Sequence, residues 1–162
     1  MLKKTLLIFF CLLFISLTFA AEVQAPENSI FRFEKNSMTV LLSWGAASAA
    51  AGVAMLRSGS AFVRGVGVQS IAWGIIDAGL ALGLKAWAAD KEKKGTGAEQ
   101  EALRMANIFL INFFLDILYL LAGILMIIMG SQTIKGHGAG IVLQGLFLFA
   151  FDGINYLMVT NF

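Results

Sequence analysis

Gln69-Ser70-Ile71-Ala72-Trp73-Gly74-Ile75-Ile76-Asp77 and Gln144-Gly145-Leu146-Phe147-Leu148-Phe149-Ala150-Phe151-Asp152 share one layout. Each opens on a glutamine in an apolar run and closes on an aspartate eight residues later. A glycine stands four residues before each glutamine, Gly65 and Gly140. Upstream, Gly52, Met55, Gly59 and Ser60 match Gly123, Met126, Gly130 and Ser131 at a slightly shorter offset. The unit is an apolar helix, a Gly/Ser turn and a second apolar helix. It occurs twice, with about four extra residues in the second turn. Each helix is long and apolar enough to span a bilayer. The expected fold is all-α: an integral membrane four-helix bundle made of two tandem helical hairpins. An even number of spans per copy makes the copies parallel, related by a pseudo-twofold axis along the membrane normal.

Composition agrees with a membrane class. Of 162 residues, 59% are hydrophobic and 14% charged, and mean hydropathy is +0.82. A soluble domain carries about 25% charged residues. Net charge is +2 with scattered basic residues, and no basic patch interleaved with aromatics points to nucleic acid.

The N-terminus reads as a signal peptide over residues 1–20. Lys3 and Lys4 precede an apolar run over 6–19, and Thr18-Phe19-Ala20 offers small residues where a signal peptidase reads. Cleavage is expected after Ala20; the rival reading is an uncleaved signal anchor. Cys11 lies inside the run after Phe10, which argues against lipoprotein acylation. Cleavage removes this only cysteine, and with it any disulfide or thiolate chemistry. A single histidine, His137, leaves too few ligands for most zinc, haem or triad arrangements.

Residues 21–37 read as a polar extracytoplasmic lead holding the only proline, Pro26. Ile30, Phe31 and Phe33 are expected at the headgroup level, with Asn36 or Ser37 capping the next helix. The four-span domain covers 38–160: repeat one 38–87, a charged linker 88–104 with helical character at each end, and repeat two 105–160. The spans themselves are expected near 38–56, 62–87, 105–129 and 138–159. A cleaved signal places the linker outside and the two tight turns, with Arg57, Arg64 and Lys135, in the cytoplasm. Location in a cell membrane, as a multi-pass protein, is expected. The linker's three lysines and Arg104 oppose this orientation, because the positive-inside rule counts Lys and Arg rather than net charge.

Asp77, Asp116 and Asp152 each lie inside a span. At 1.5 Å per residue they sit roughly 11–16 Å below the outer boundary, near the midplane. Asn112 and Tyr119 flank Asp116 at one helical turn, Asn155 follows Asp152, and Trp73 lies between Gln69 and Asp77. With Gln144 these nine residues form the candidate polar or ion site. No Lys or Arg lies at this depth. The carboxyls must therefore carry protons, share them, accept hydrogen bonds or hold a cation. The plainer alternative is that the polar groups only fix helix packing. No metal motif has recognisable spacing, no catalytic motif is present, and no cofactor is expected. Gly136-His137-Gly138-Ala139-Gly140 opens a helix but lacks a phosphate-loop pattern, and reads as a flexible turn.

Trp44-Gly45, Trp73-Gly74 with Asp77, Asn112 with Leu115-Asp116 and Tyr119, Gln144-Gly145 with Phe147-Leu148, and Phe151-Asp152 together resemble a family of small bacterial membrane proteins of unknown function. The resemblance covers residues 38–158 and implies a four-helix membrane domain without an assigned activity. Three functions remain open: a non-enzymatic membrane protein whose buried acids bind a proton, cation or small molecule; a structural or assembly subunit; and, third, an enzyme, which would need an outward-opening cavity beside the three carboxyls. The bilayer is the expected partner, and the subunit reading adds a homo-oligomer or a membrane partner protein.

Overall fold

The computed structural model describes residues 30–162. The signal peptide, Cys11, Pro26 and the lead up to residue 29 lie outside the described residues. Four helices follow in order: α1 Ile30–Met55, α2 Ala61–Lys93, α3 Ala98–Met129 and α4 Gln132–Val159. No strand occurs among the described residues. All four helices are long and apolar enough to cross a membrane. That fits a multi-pass membrane protein. Along α3 in particular, Ile111, Phe114, Leu118, Leu121, Leu125 and Ile128 are exposed. In water so much apolar surface would be a liability, whereas lipid tails solvate it.

The helices run up and down, so the bundle has two ends. The turn end holds residues 56–60 and 130–131. The linker end holds the start of α1, residues 94–97 and the end of α4. α1 packs along α2 and α3 along α4, while α2 and α4 meet between them and α1 barely touches α3.

Three boundaries differ from the sequence expectation. First, α1 starts at Ile30 rather than near 38, so Asn36 and Ser37 lie inside it. Ile30, Phe31 and Phe33 are buried rather than spread at the headgroups. The Phe33 ring packs 5.4 Å from Phe162 at the far end of the chain. An apolar face that finds a partner extends the helix past the expected cap.

Second, the linker shrinks to residues 94–97. α2 runs through the charged segment to Lys93, and α3 begins at Ala98. Gly95, at φ +72°, takes the left-handed conformation that reverses the chain. Lys91 and Lys93 sit in the last turn of α2, and Glu99 and Glu101 in the first turn of α3, where each sign suits the helix dipole.

Third, the second turn carries no extra residues. Ser60 and Ser131 are the N-cap residues of α2 and α4, so Gly136, Gly138 and Gly140 are helical. Glycine costs a helix about 1 kcal/mol relative to alanine, and here close packing offsets that cost. Gly138 lies against the backbone of Gly123, Gly136 against that of Phe62, and Gly140 against Gln69.

These contacts follow one separation. A Cβ on Gly52 would stand 2.6 Å from the Gly67 oxygen and 2.7 Å from Ile71. Seventy-one residues on, a Cβ on Gly123 would stand 2.9 Å from the Gly138 oxygen and 2.8 Å from Val142. Gly74 against Ala49 and Gly145 against Leu120 keep the same separation. The pairing of Gln69 with Gln144 and of Asp77 with Asp152 needs a separation of seventy-five, and the packing does not follow it.

Candidate functional site

Asp77 lies midway along α2, sixteen residues from either end (77 − 61 and 93 − 77). Asp116 comes from α3 and Asp152 from α4. All three are at most 4% exposed. The Asp116 and Asp152 carboxyls are within hydrogen-bonding reach of each other, and Asn112 reaches Asp152. Asp77 lies close enough to feel the charge of Asp116, and Asp152 that of Asp77. Three helices thus bring their acids together in the interior.

Helix α1 adds no acid to this group but closes it. Gly45 and Gly74 face each other, and a Cβ on Gly45 would stand 2.6 Å from the Gly74 oxygen and 3.2 Å from the Asp77 Cβ. Any side chain at 45 would push α1 away from Asp77.

No lysine or arginine forms an ion pair with these carboxyls among the described residues. Oδ2 of Asp77 and Oδ2 of Asp116 are buried with no hydrogen-bond partner in the protein. An unpaired carboxylate in an apolar interior costs several kcal/mol or more, so such groups take up a proton or a counter-ion. The three carboxyls do not meet around one point in metal-binding geometry.

The other expected site residues separate into pairs. Gln144 accepts a 2.7 Å hydrogen bond at Oε1 from Trp44 Nε1, whose ring stacks on Phe147 at 4.0 Å and 9°. Asn155 accepts a 2.6 Å bond from the Ser37 hydroxyl and donates 2.7 Å to the Phe151 carbonyl. Gln69 Nε2 lies 3.2 Å from His137 Nδ1 near the turn end. Trp73 and Tyr119 pack edge to face at 5.0 Å, with Tyr119 39% exposed. Neither ring hydrogen-bonds a carboxyl. Of the nine residues, the structure joins Asp77, Asp116, Asp152 and Asn112 in one group and uses the other five elsewhere.

A second polar group, at the linker end, was not expected from the sequence. Glu101 is fully buried on α3 and pairs with Lys91 of α2 at 2.6 Å and with Arg104. Arg104 also reaches Glu34 of α1 at 2.6 Å. Lys91 and Arg104 both lie over the Trp87 ring, 4.4 and 4.5 Å from its centre. The signals were present: Glu101 and Arg104 are three apart, and Glu34 stands one helical turn after Ile30, on the same face. They are hidden when 88–104 is read as a solvated linker.

A cavity of about 60 Å³ lies between the two groups. Glu34 and Arg104 line one end of it, and Asn112 and Asp152 the other. Its walls are apolar, with Leu41 and Leu84 among them.

Comparison with known proteins adds a family and no mechanism. The model of a family of unknown function, DUF6992, matches residues 40–153, and the chain belongs to that family. Comparison with curated proteins and with solved structures gives no match.

Proposed function

We propose, starting from membership of a family without an assigned activity, that the chain is a four-span protein of the bacterial inner membrane whose interior aspartates form a proton site. The observation that carries this reading is the convergence of Asp77, Asp116 and Asp152 from three helices with no basic partner. Two carboxyls in contact cannot both stay ionised in an apolar interior, so the Asp116–Asp152 pair shares a proton. Asn112 lies beside Asp152 on the wall of the cavity, where its amide can orient the pair. A proton suits this geometry better than a directly ligated metal ion, because the three groups do not enclose one point.

The test is difference infrared spectroscopy of the reconstituted protein. A carbonyl band from a protonated carboxyl is expected, lost or shifted in Asp116→Asn and Asp152→Asn. Wild-type spectra without such a band, from a folded sample, would remove the proton reading.

The two hairpins are read as tandem copies in the seventy-one-residue register. Repeated contacts support this: Gly52 with Gly67, and Gly123 with Gly138. An experimental structure should superpose them by a rotation near a half-turn about the membrane normal. An axis in the membrane plane would remove this reading.

A second function is a structural or assembly subunit. Gly79 and Gly83, four apart on α2, favour it, since a Cβ at either would meet nothing within 4 Å. Such a face permits close approach of another helix. If this reading holds, Gly79→Leu with Gly83→Leu lowers the oligomeric state in detergent while the Asp→Asn variants leave it unchanged.

A further inference from the structure

Between the ionic group at the linker end and the interior aspartates, the chain leaves space that four polar side chains border. The cavity of about 60 Å³ is lined by Glu34 and Arg104 at one end and by Asn112 and Asp152 at the other. Liquid water occupies about 30 Å³ per molecule, so the space suits about two waters, provided polar partners are present. They are. Glu34 is 2% exposed and its Oε2 has no partner in the protein, and Nη1 of Arg104 is likewise buried and unpartnered. Other atoms of the same two side chains, Glu34 Oε1 and Arg104 Nη2, already bond each other. Leaving a buried charged atom unsatisfied costs a few kcal/mol, which a water at this position relieves.

Position gives the cavity a direction. Arg104 and Asn112 stand on one helix, eight residues and about 12 Å apart along its axis. The Arg104 side chain is 19% exposed, so this end opens toward the surface at the linker end. Toward the turn end α2 and α4 pack closely, with Gly65 against the backbone of Thr133 and His137 and Gly136 against that of Phe62.

We propose that this cavity is the route by which protons pass between the linker end of the bundle and the buried aspartates, with the Glu34–Arg104 pair as its mouth. The proposal rests on the reading of the aspartates as a proton site. Glu34 accepts a proton from bulk water, where it leaves hydroxide or a buffer anion behind. The proton then moves through the bridging waters, each O–H bond breaking as the next forms, and ends on the Asp152 carboxylate. From there it is shared with Asp116. Charge balances by the loss of one interior carboxylate, and no other reactant is needed. Arg104 holds Glu34 at the mouth, and Glu101 and Lys91 hold Arg104. The charged groups facing Asp152 are Asp116 from α3 and Asp77 from α2, and α1 contributes only Glu34, at the far end.

The test is hydrogen–deuterium exchange of the carboxyl band in the full chain reconstituted in lipid. The wild-type band should shift rapidly after transfer to deuterium oxide. Leu84→Trp, which fills the wall, should keep the band position and slow its shift at least tenfold. Glu34→Gln, which keeps the shape of the mouth but removes its proton carrier, should also slow it severalfold. If Leu84→Trp does not fold, Glu34→Gln decides alone. Exchange at the wild-type rate in Glu34→Gln, or in a folded Leu84→Trp, overturns the route. Absence of the band in wild type is a different result: it removes the aspartate proton site itself.

Discussion

The inside of each hairpin and the seam between the hairpins are held by different chemistry. Within a hairpin the helices meet backbone to backbone through glycines: Gly45 with Gly74 and Gly52 with Gly67 in the first, Gly123 with Gly138 in the second. Across the seam, buried polar side chains do much of the joining: Trp44 with Gln144, Ser37 with Asn155, and Glu34 with Arg104. Only α2 and α4 also meet by glycine, at Gly65, Gly136 and Gly140. In lipid no hydrophobic force draws helices together, so dispersion and hydrogen bonds must do so. Close backbone packing makes a hairpin rigid. The polar seam leaves a cavity of about 60 Å³ between the helix pairs.

The largest effect should come from filling a hairpin contact. Gly52→Leu or Gly138→Leu forces backbone apart where a Cβ already comes within 2.6 Å. We expect a loss of about 3 kcal/mol or more, with no folded bundle in the second case. Gly79→Ala should change stability by less than about 0.5 kcal/mol in the same thermal unfolding assay in detergent. Equal responses at Gly52 and Gly79 would dissolve the distinction between packed and open glycines.

Next is the ionic group at the linker end. Glu101→Ala strips Lys91 and Arg104 of a shared buried partner. Exposed pairs are worth ~0–1 kcal/mol and breaking a buried one costs ~3–5. Both bases keep some exposure, so about 2 kcal/mol is expected, and the mouth of the cavity should loosen. A cost near zero would show that the group sits in water.

A smaller effect is expected at the seam. Trp44→Phe keeps a ring for Phe147 but leaves Gln144 Oε1 buried and unpaired, at a cost of about 1 kcal/mol. Ser37→Ala likewise leaves the buried Asn155 Oδ1 without its donor and should cost about 1 kcal/mol. If both match the glycine substitutions in size, the seam is as tightly packed as the hairpins.

Orientation separates the two ends without changing stability. Arg32, Lys35, Lys85, Lys91, Lys93, Lys94 and Arg104 gather at the linker end, and Arg57, Arg64 and Lys135 near the turn end. The signal pattern places the linker end outside, while the Lys/Arg count places it in the cytoplasm. A cysteine at Thr96, in a chain with Cys11→Ser, should react with an impermeant reagent applied to whole cells. Reaction only after lysis would reverse the orientation and make the cavity face the cytoplasm.

The sequence by itself determined the class of the molecule. Four apolar runs without proline, interrupted by glycine–serine turns, make four helices, because backbone groups in lipid can be satisfied only within a helix or a closed barrel. It also marked the aspartates, since a carboxyl in an apolar span is costly wherever it lies. Local pattern did not settle which residues of the two helix pairs take corresponding places in the packing. Gln69 and Gln144 look equivalent along the chain, but helix packing is set by which glycines can touch, and those lie seventy-one residues apart. Nor could it separate Tyr119 and Trp73, which pack on each other and hydrogen-bond no carboxyl, from Asn112, which joins the acids. That depends on the rotation of each helix about its axis, which only its neighbours impose. The buried ionic group and the cavity below it belong to the tertiary structure for the same reason: Glu34, Lys91, Glu101 and Arg104 come from three helices and read as solvated charges until those helices are packed together.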